Sequence, residues 1–259
     1  MNSSFAASAF RPFRFALLGL LACGITACGS GGGGGDNDGE FGSTAFYKFD
    51  EESGSTATNS RFNAFHGTLV GVQRTEGRFG RGVDFTAQPS AHVLFDICCH
   101  GDVNGNGSLY IDFPNNQITM AMWVRPVSAS TETIYPILGG NDFGVQSFKL
   151  RLRENRLELL LYPPNNGAPF SLIRSASLLS DQQWTHIALV YDGSTAVIYL
   201  NGEENSRVSL SAPVQTVHND LFLGGIPETT PSFPGRIDEL LLSTTAFTQA
   251  QVRSLLTGG

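Results

Sequence analysis

The sequence predicts an all-β protein, a two-sheet antiparallel sandwich closed by one short C-terminal helix. Three observations predict it. From Ser43 onward, short β-prone runs alternate with Gly-, Asn- and Asp-rich turns, and no sustained helical periodicity interrupts them. Asp192-Gly193 and Asn201-Gly202 each stand between such runs, and both dipeptides supply the positive φ angles of tight hairpin turns. One capping box, Thr248 with Gln251, introduces Ala250, Val252, Leu255 and Leu256 at helical spacing.

Taken in order, strands are expected at 44–49, 82–85, 118–124, 148–152 and 156–162. The stretch 184–210 reads as a three-strand meander with strands at 184–191, 196–200 and 207–210, where alternating apolar residues fix the buried face. Strands at 221–223 and 236–242 follow, then the helix after Thr248 and a terminal Gly258-Gly259. No fixed-period repeat or long linker breaks 43–257, so these elements form one domain. Residues 89–116 read as a long insertion between strands, a place where function often resides.

Composition excludes several classes. The chain has 259 residues, 41% hydrophobic and 15% charged, with 30 glycines and a formal charge of −7. That is too apolar for disorder and too poor in long apolar runs for a multispanning membrane protein. Fourteen of the 16 basic residues are Arg, and no clustered basic stripe stands out. Without residues 1–27, 14 basic residues face 23 acidic ones, about −9, which disfavours nucleic acid and anionic lipid surfaces.

Residues 1–27 read as an export signal. Arg11 and Arg14 give a positive start, and the apolar stretch from Phe15 is about half the roughly 20 residues that span a bilayer. Ile25-Thr26-Ala27-Cys28 resembles a bacterial lipobox, as does the weaker Leu20-Leu21-Ala22-Cys23. Cys28 is the preferred lipidation site because a Gly-rich tether, 28–42, begins there; a cleaved signal with a disordered start is the alternative. The expected location is the cell envelope, lipid-anchored at the outer membrane, with membrane contact through the N-terminal lipid only.

Several segments together resemble the LamG-like domains of the concanavalin A-like lectin/glucanase superfamily. They are Phe46-Tyr47-Lys48-Phe49-Asp50-Glu51, Asn63-Ala64-Phe65-His66-Gly67-Thr68, and Gly77-Arg78-Phe79-Gly80-Arg81-Gly82-Val83-Asp84-Phe85. Further on come Thr119-Met120-Ala121-Met122-Trp123-Val124, Trp184-Thr185-His186-Ile187-Ala188, Tyr199-Leu200-Asn201-Gly202 and Gly235-Arg236-Ile237-Asp238-Glu239. The resemblance covers about residues 44–256. It implies a jelly-roll sandwich with one concave sheet, and a family that binds carbohydrate or protein and has distant glycoside-hydrolase relatives. Fold alone does not choose among these.

The expected function is non-catalytic recognition of a glycan or polysaccharide at the cell surface. Protein–protein adhesion or scaffolding through a surface protein is the alternative, and glycoside hydrolysis a third reading. Hydrolysis needs two carboxylates flanking the scissile bond. Glu154 and Glu158 share a face but lie beside Arg153 and Arg156, while the adjacent Asp238 and Glu239 are expected on opposite faces of a strand. Trp123 and Trp184 match positions that the family uses to pack the sandwich, and His66 and His186 read as hydrogen-bonded structural residues.

Loop residues supply the candidate sugar contacts. Tyr135 with Asn141 and Asp142 forms one set, and Tyr162 with Asn165 and Asn166 another; turn-forming amides beside core aromatics are the alternative. Two sets of hard oxygen ligands are candidates for a structural Ca²⁺. Asp102, Asn104 and Asn106 resemble the start of an EF-hand-type loop, although the twelfth position is Phe113. By the resemblance, Asp50 and Asp238 would hold an ion between the first and last strands, with main-chain oxygens near His66. Cys98 and Cys99 would form a vicinal disulfide or an interchain bridge, against the alternative of isolated buried thiols.

Overall fold

The computed structural model describes residues 44–61, 63, 65–95, 117–127, 129–130, 132–142, 145–162, 171–210, 220–227 and 231–258. All of them belong to one compact unit, residues 37–259. In chain order the strands are β1 (Thr44–Tyr47), β2 (Thr56–Ala57), β3 (Gly67–Val70), β4 (Gln73–Glu76), β5 (Arg81–Asp84), β6 (His92–Phe95), β7 (Ile118–Pro126) and β8 (Ile134–Asp142). They continue with β9 (Val145–Arg153), β10 (Arg156–Leu161), β11 (Ser171–Arg174), β12 (Thr185–Tyr191), β13 (Thr195–Leu200), β14 (Glu203–Ser209), β15 (Leu221–Leu223) and β16 (Gly235–Ser243). The helix α1 (Gln249–Ser254) runs into a single 3-10 turn, Leu255–Thr257.

The strands make two antiparallel sheets. The first runs β14-β13-β12-β7-β16-β5-β4, with β1 also paired to β16; the second runs β11-β10-β9-β8-β15-β6-β3-β2. The expected two-sheet sandwich is therefore the observed one. The meander is β12–β13–β14, and its second turn has Asn201 at φ 49 and Gly202 at φ 78, the two positive values that this kind of hairpin requires. The capping box is present as read: Gln251 N–H donates to Thr248 Oγ1 at 3.3 Å and Thr248 N–H donates to Gln251 Oε1 at 2.8 Å.

Several strands carry no legible signal in the sequence. β8 contains Pro136, Gly139 and Gly140, and its register with β9 shifts twice, so its period-two pattern is broken. β6 lies inside the stretch expected to be a plain insertion, where its four residues pair with β3 and three of them also with β15.

The core lies between the sheets. Met122 and Val124 of β7 and Ile187 and Leu189 of β12 meet Phe148 and Leu150 of β9 and Leu157 and Leu159 of β10, all of them buried. Each such side chain contributes about 1.5–3 kcal/mol by leaving water. A second, smaller cluster covers the outer face of the first sheet: Phe46, Ala121, Val190 and Leu241 pack against Phe247 and against Val252 of α1.

Candidate functional site

Alternation along β9 sends Phe148, Leu150 and Leu152 into the core, which leaves Lys149, Arg151 and Arg153 on the outward face of the second sheet. On β10 the core residues are Leu157, Leu159 and Leu161, so Arg156, Glu158 and Leu160 face outward. Tyr162 follows one residue beyond the strand. Register then builds three rows across β11, β10, β9 and β8: Leu172, Leu160, Lys149, Gly139; Arg174, Glu158, Arg151, Pro136; and Arg156, Arg153, Ile134.

Electrostatics give these rows their character. Glu158 is buried, and its Oε2 accepts from Arg151 Nε at 2.8 Å and Nη2 at 2.7 Å, while Arg174 Nε stands 3.6 Å from Oε1. Arg174 also bonds Glu154, which lowers that carboxyl below its ordinary range. Arg156 Nη1 donates to the carbonyls of Ser175, at 2.9 Å, and Ala176. Lys149 has no anionic partner among the described residues, and burial, then Arg151, pushes its ammonium pKa down. Burial raises the Tyr162 phenol against the pull of Arg151.

Among the described residues, five cations thus share this face with two carboxylates, Glu154 and Glu158, on a chain of charge −7. This corrects the expectation that the basic residues form no cluster. The signal was available in Lys149-x-Arg151-x-Arg153, because a period of two gathers three charges on one face of one strand. Like charges about 7 Å apart repel by roughly 0.6 kcal/mol even in a water-like dielectric, and Glu158 and Glu154 offset part of that repulsion.

A different arrangement gathers Asp50 and Asp238. The turn Gly77–Arg81 lies between them: Asp238 Oδ2 accepts the N–H groups of Arg78 at 2.7 Å and Phe79 at 3.0 Å, and Asp50 Oδ1 accepts the Arg81 N–H at 2.7 Å. The turn needs glycine for steric reasons, since a Cβ on Gly77 would meet Asp238 Oδ2 and one on Gly80, at φ 52, would meet Asp50 Oδ1. Asp238 is fully buried with no Lys or Arg head beside it among the described residues. Desolvation pushes its pKa up to about 7, with Glu239 adding to the rise and the main-chain N–H donors opposing it. Near His66 the polar groups are engaged locally: the Phe65 carbonyl accepts from the Tyr47 hydroxyl at 2.6 Å, and His66 Nδ1 accepts the Asn59 N–H at 3.1 Å.

Asp238 is also the first member of a row on the outer face of the first sheet, paired with Trp123 of β7, which pairs with His186 of β12. Trp123 is buried, as expected of a packing residue, and it packs on the side of β7 opposite the Met122 and Val124 side chains of the main core. Arg78 stacks 4.7 Å from its ring, and Phe79 meets it edge-on at 6.0 Å. Trp123 Nε1 and His186 Nδ1 are buried with no hydrogen-bond partner among the described residues. Burial lowers the His186 pKa to about 4.

Asp238 and Glu239 do not point to opposite faces as expected. A bulge between Asp238 and Leu241, with Glu239 at φ 54, turns Glu239 toward the side where Phe46, His186 and Leu255 form a small cavity.

The remaining expected residues separate. Tyr135 packs in the core, its hydroxyl accepting the Ser130 N–H at 3.2 Å, and so lies on the face of the second sheet opposite Tyr162's row. Asn141 and Asp142 join β8 through main-chain pairing with Gln146 and Val145. Cys28, Cys98, Cys99, Asp102, Asn104, Asn106, Asn165 and Asn166 lie outside the described residues, as do the signal and tether segments. Among the described residues, no group of three or more His, Cys, Asp or Glu side chains gathers, and no helix is long and apolar enough to cross a membrane.

Comparison with known proteins gives a family. The concanavalin A-like lectin/glucanases superfamily matches residues 101–253. No curated protein matches the chain. Among solved structures, domain 4 of AbnA, an extracellular GH43 arabinanase of Geobacillus stearothermophilus in complex with arabinotriose, is 22% identical with a TM-score of 0.62, over 84% of this chain and 100% of that one. Trypanosoma rangeli sialidase in complex with the inhibitor DANA is 15% identical with a TM-score of 0.59, over 82% of this chain and 32% of the sialidase. The binding domain of Paraclostridial Mosquitocidal Protein 1 is 14% identical with a TM-score of 0.62, over 82% of this chain and 51% of that one. At these identities the likeness is one of fold, and the chain spans only part of the last two.

Proposed function

The chain belongs to the concanavalin A-like lectin/glucanases superfamily, and from that premise we propose that it is a glycan-recognition module that binds without breaking bonds. The observation that carries the reading is the outward face of β8–β11, where the exposed Leu172, with the largely buried Leu160 and Tyr162 beside it, adjoins a line of hydrogen-bond donors. Sugars bind surfaces of this composition, apolar faces against C–H groups and fixed donors against hydroxyls. Two proteins that contain this fold support the reading: domain 4 of AbnA is known in complex with arabinotriose, and Trypanosoma rangeli sialidase in complex with the inhibitor DANA.

The state of the described carboxylates supports binding without catalysis. A glycosidase needs a general acid of raised pKa facing a second carboxylate across the sugar. Glu154 is lowered by Arg174, and Glu158 is held by Arg151. Asp238 has the raised value but is fully buried in the other sheet, where it accepts three main-chain N–H groups.

The reading includes a lipid anchor on Cys28, a tether over 28–42 and a structural Ca²⁺. The donors at the Gly77–Arg81 turn fit calcium in kind, because Asp238 is a buried carboxylate that lacks a counter-charge and Asp50 flanks the same turn. Asp50 and Asp238 would hold the ion, which would supply the positive charge that Asp238 lacks.

The test is a glycan array probed with the full chain, first with calcium and then with chelator. Binding to one or more glycans, weakened roughly tenfold by Tyr162→Ala with circular dichroism unchanged, is the expected result. A blank array from folded protein would overturn the reading and favour adhesion to a surface protein. A fall in melting temperature on chelation, absent in Asp50→Asn, tests the ion separately.

A further inference from the structure

Resting on the glycan reading, we propose that the ligand is an acidic polysaccharide, a uronate polymer whose carboxylates bind Lys149 and the arginines around it on the outward face of β9–β11. The arrangement separates held charges from an available one. Glu158 and Glu154 fix Arg151 and Arg174 in ion pairs, while Lys149, in the next row, keeps an ammonium group without an anionic partner among the described residues. Arg153, half-exposed, makes only a 3.8 Å contact to Glu154. Lys149 is partly desolvated and next to a like charge, so an incoming carboxylate gains more there than at a solvated lysine.

The neighbourhood suits a sugar acid better than other polyanions. In the row of Lys149, Leu160 of β10 is buried and Leu172 of β11 beyond it is 54% exposed, while Gly139 and Phe222 on the other side are buried. Lys149 and Leu172 are two strand spacings apart, about 10 Å, so a sugar ring laid along this row can touch an apolar side chain on one side and a cation on the other. Duplex nucleic acid carries a charge every ~1.7 Å and needs a long basic track, whereas this patch spans three strands of an otherwise acidic chain. A uronate polymer carries one charge per acidic ring, which matches a compact patch with an apolar neighbour.

The experiment uses the full chain with polygalacturonate, polyglucuronate and hyaluronan, each beside its carboxyl-reduced neutral form, in affinity electrophoresis and calorimetry with chelator present. The expected result is binding to at least one uronate polymer, at least tenfold weaker for its reduced form, tenfold weaker for Lys149→Gln, and unchanged for Arg207→Gln on the other sheet. Equal affinity for the neutral forms, with Lys149→Gln unaffected, would overturn the acidic ligand and leave the glycan reading standing. Failure to bind any of these polymers or any glycan of the array would overturn both. Tighter binding of duplex DNA or of anionic phospholipid vesicles, lost in Lys149→Gln, would also overturn it by assigning the patch to another polyanion.

Discussion

Asp238 and Phe79, 159 positions apart in the chain, meet where the buried Asp238 carboxylate accepts the Phe79 N–H at 3.0 Å. The same oxygen takes the Arg78 N–H, so one side chain of β16 fixes the turn that delivers β5 to its edge. The contact also sets Arg78 and Phe79 against Trp123, which seals the outer face of the first sheet. Packing on that face thus depends on a polar contact at its margin.

Gly80→Ala tests this turn. Its φ of 52 already disfavours a side chain, and the new Cβ would press on Asp50 Oδ1. Gly54, at φ 88 with nothing within 4 Å, carries the backbone cost alone and is the control. Gly54→Ala should cost about 1 kcal/mol and Gly80→Ala about 2–3 kcal/mol, roughly 4–10 °C in melting temperature. Equal melting temperatures for the two variants would show that Asp50 does not brace the turn.

Asp238 makes stability depend on pH in a direction unusual for a carboxylate. Its folded pKa, about 7, lies above the ordinary value of 3.8, so the folded state holds the proton more tightly than the unfolded state. Its contribution is fully present below about pH 4 and is lost as pH rises to about 7, a change on the order of 4 kcal/mol. Chemical denaturation of the calcium-free protein beside Asp238→Asn isolates the effect. The wild-type advantage over the variant should shrink from pH 4 to pH 7, and bound calcium should flatten the trend. An advantage that grows with pH would mean that the three N–H donors outweigh burial.

His186 acts in the opposite sense. Burial depresses its pKa to about 4, so the ring is neutral in the fold at neutral pH. Stability tied to it is present above about 6.5 and lost as pH falls toward 4, on the order of 3 kcal/mol. Its imidazole signals should not titrate between pH 5 and 8 in an NMR series. His186→Phe, which also removes the unpartnered Nδ1, should denature less steeply in acid than wild type. A His186 midpoint near 6.5 would contradict its burial.

The parts of this fold legible in the sequence are those that local chemistry specifies. Asn201-Gly202 and Thr248 with Gln251 fix their own dihedrals and hydrogen bonds, so turn and cap can be read from a few residues. β8 is illegible because Pro136 and paired glycines erase its alternation, and only its partners β9 and β15 make it a strand. The face of Trp123 is illegible for another reason. An apolar run such as 118–124 is buried on both sides, and nothing local tells which side holds the core. The candidate site was half-written: Tyr162 and the alternating cations are plain in the sequence, but their convergence with Arg174 and Glu158 depends on register across three strands.

Glu158 provides the last prediction, because it serves stability and opposes ligand charge at once. Its buried carboxylate neutralises Arg151 and reaches Arg174, so Glu158→Gln keeps the shape and the acceptor while removing the charge. Arg151 and Arg174 retain some exposure, 20% and 39% of their side chains, so water takes up part of the loss. The expected cost is about 1–2 kcal/mol, less than for a wholly buried pair. The patch meanwhile becomes more positive by one unit, and uronate polymers should bind roughly two- to fivefold tighter at low salt, with the gain lost near 0.5 M salt, where the Debye length is only about 4 Å. A less stable variant with higher, salt-sensitive uronate affinity identifies Glu158 as the charge that tunes this face. Unchanged affinity at low salt would show that the ligand does not sense the Arg151–Glu158 row.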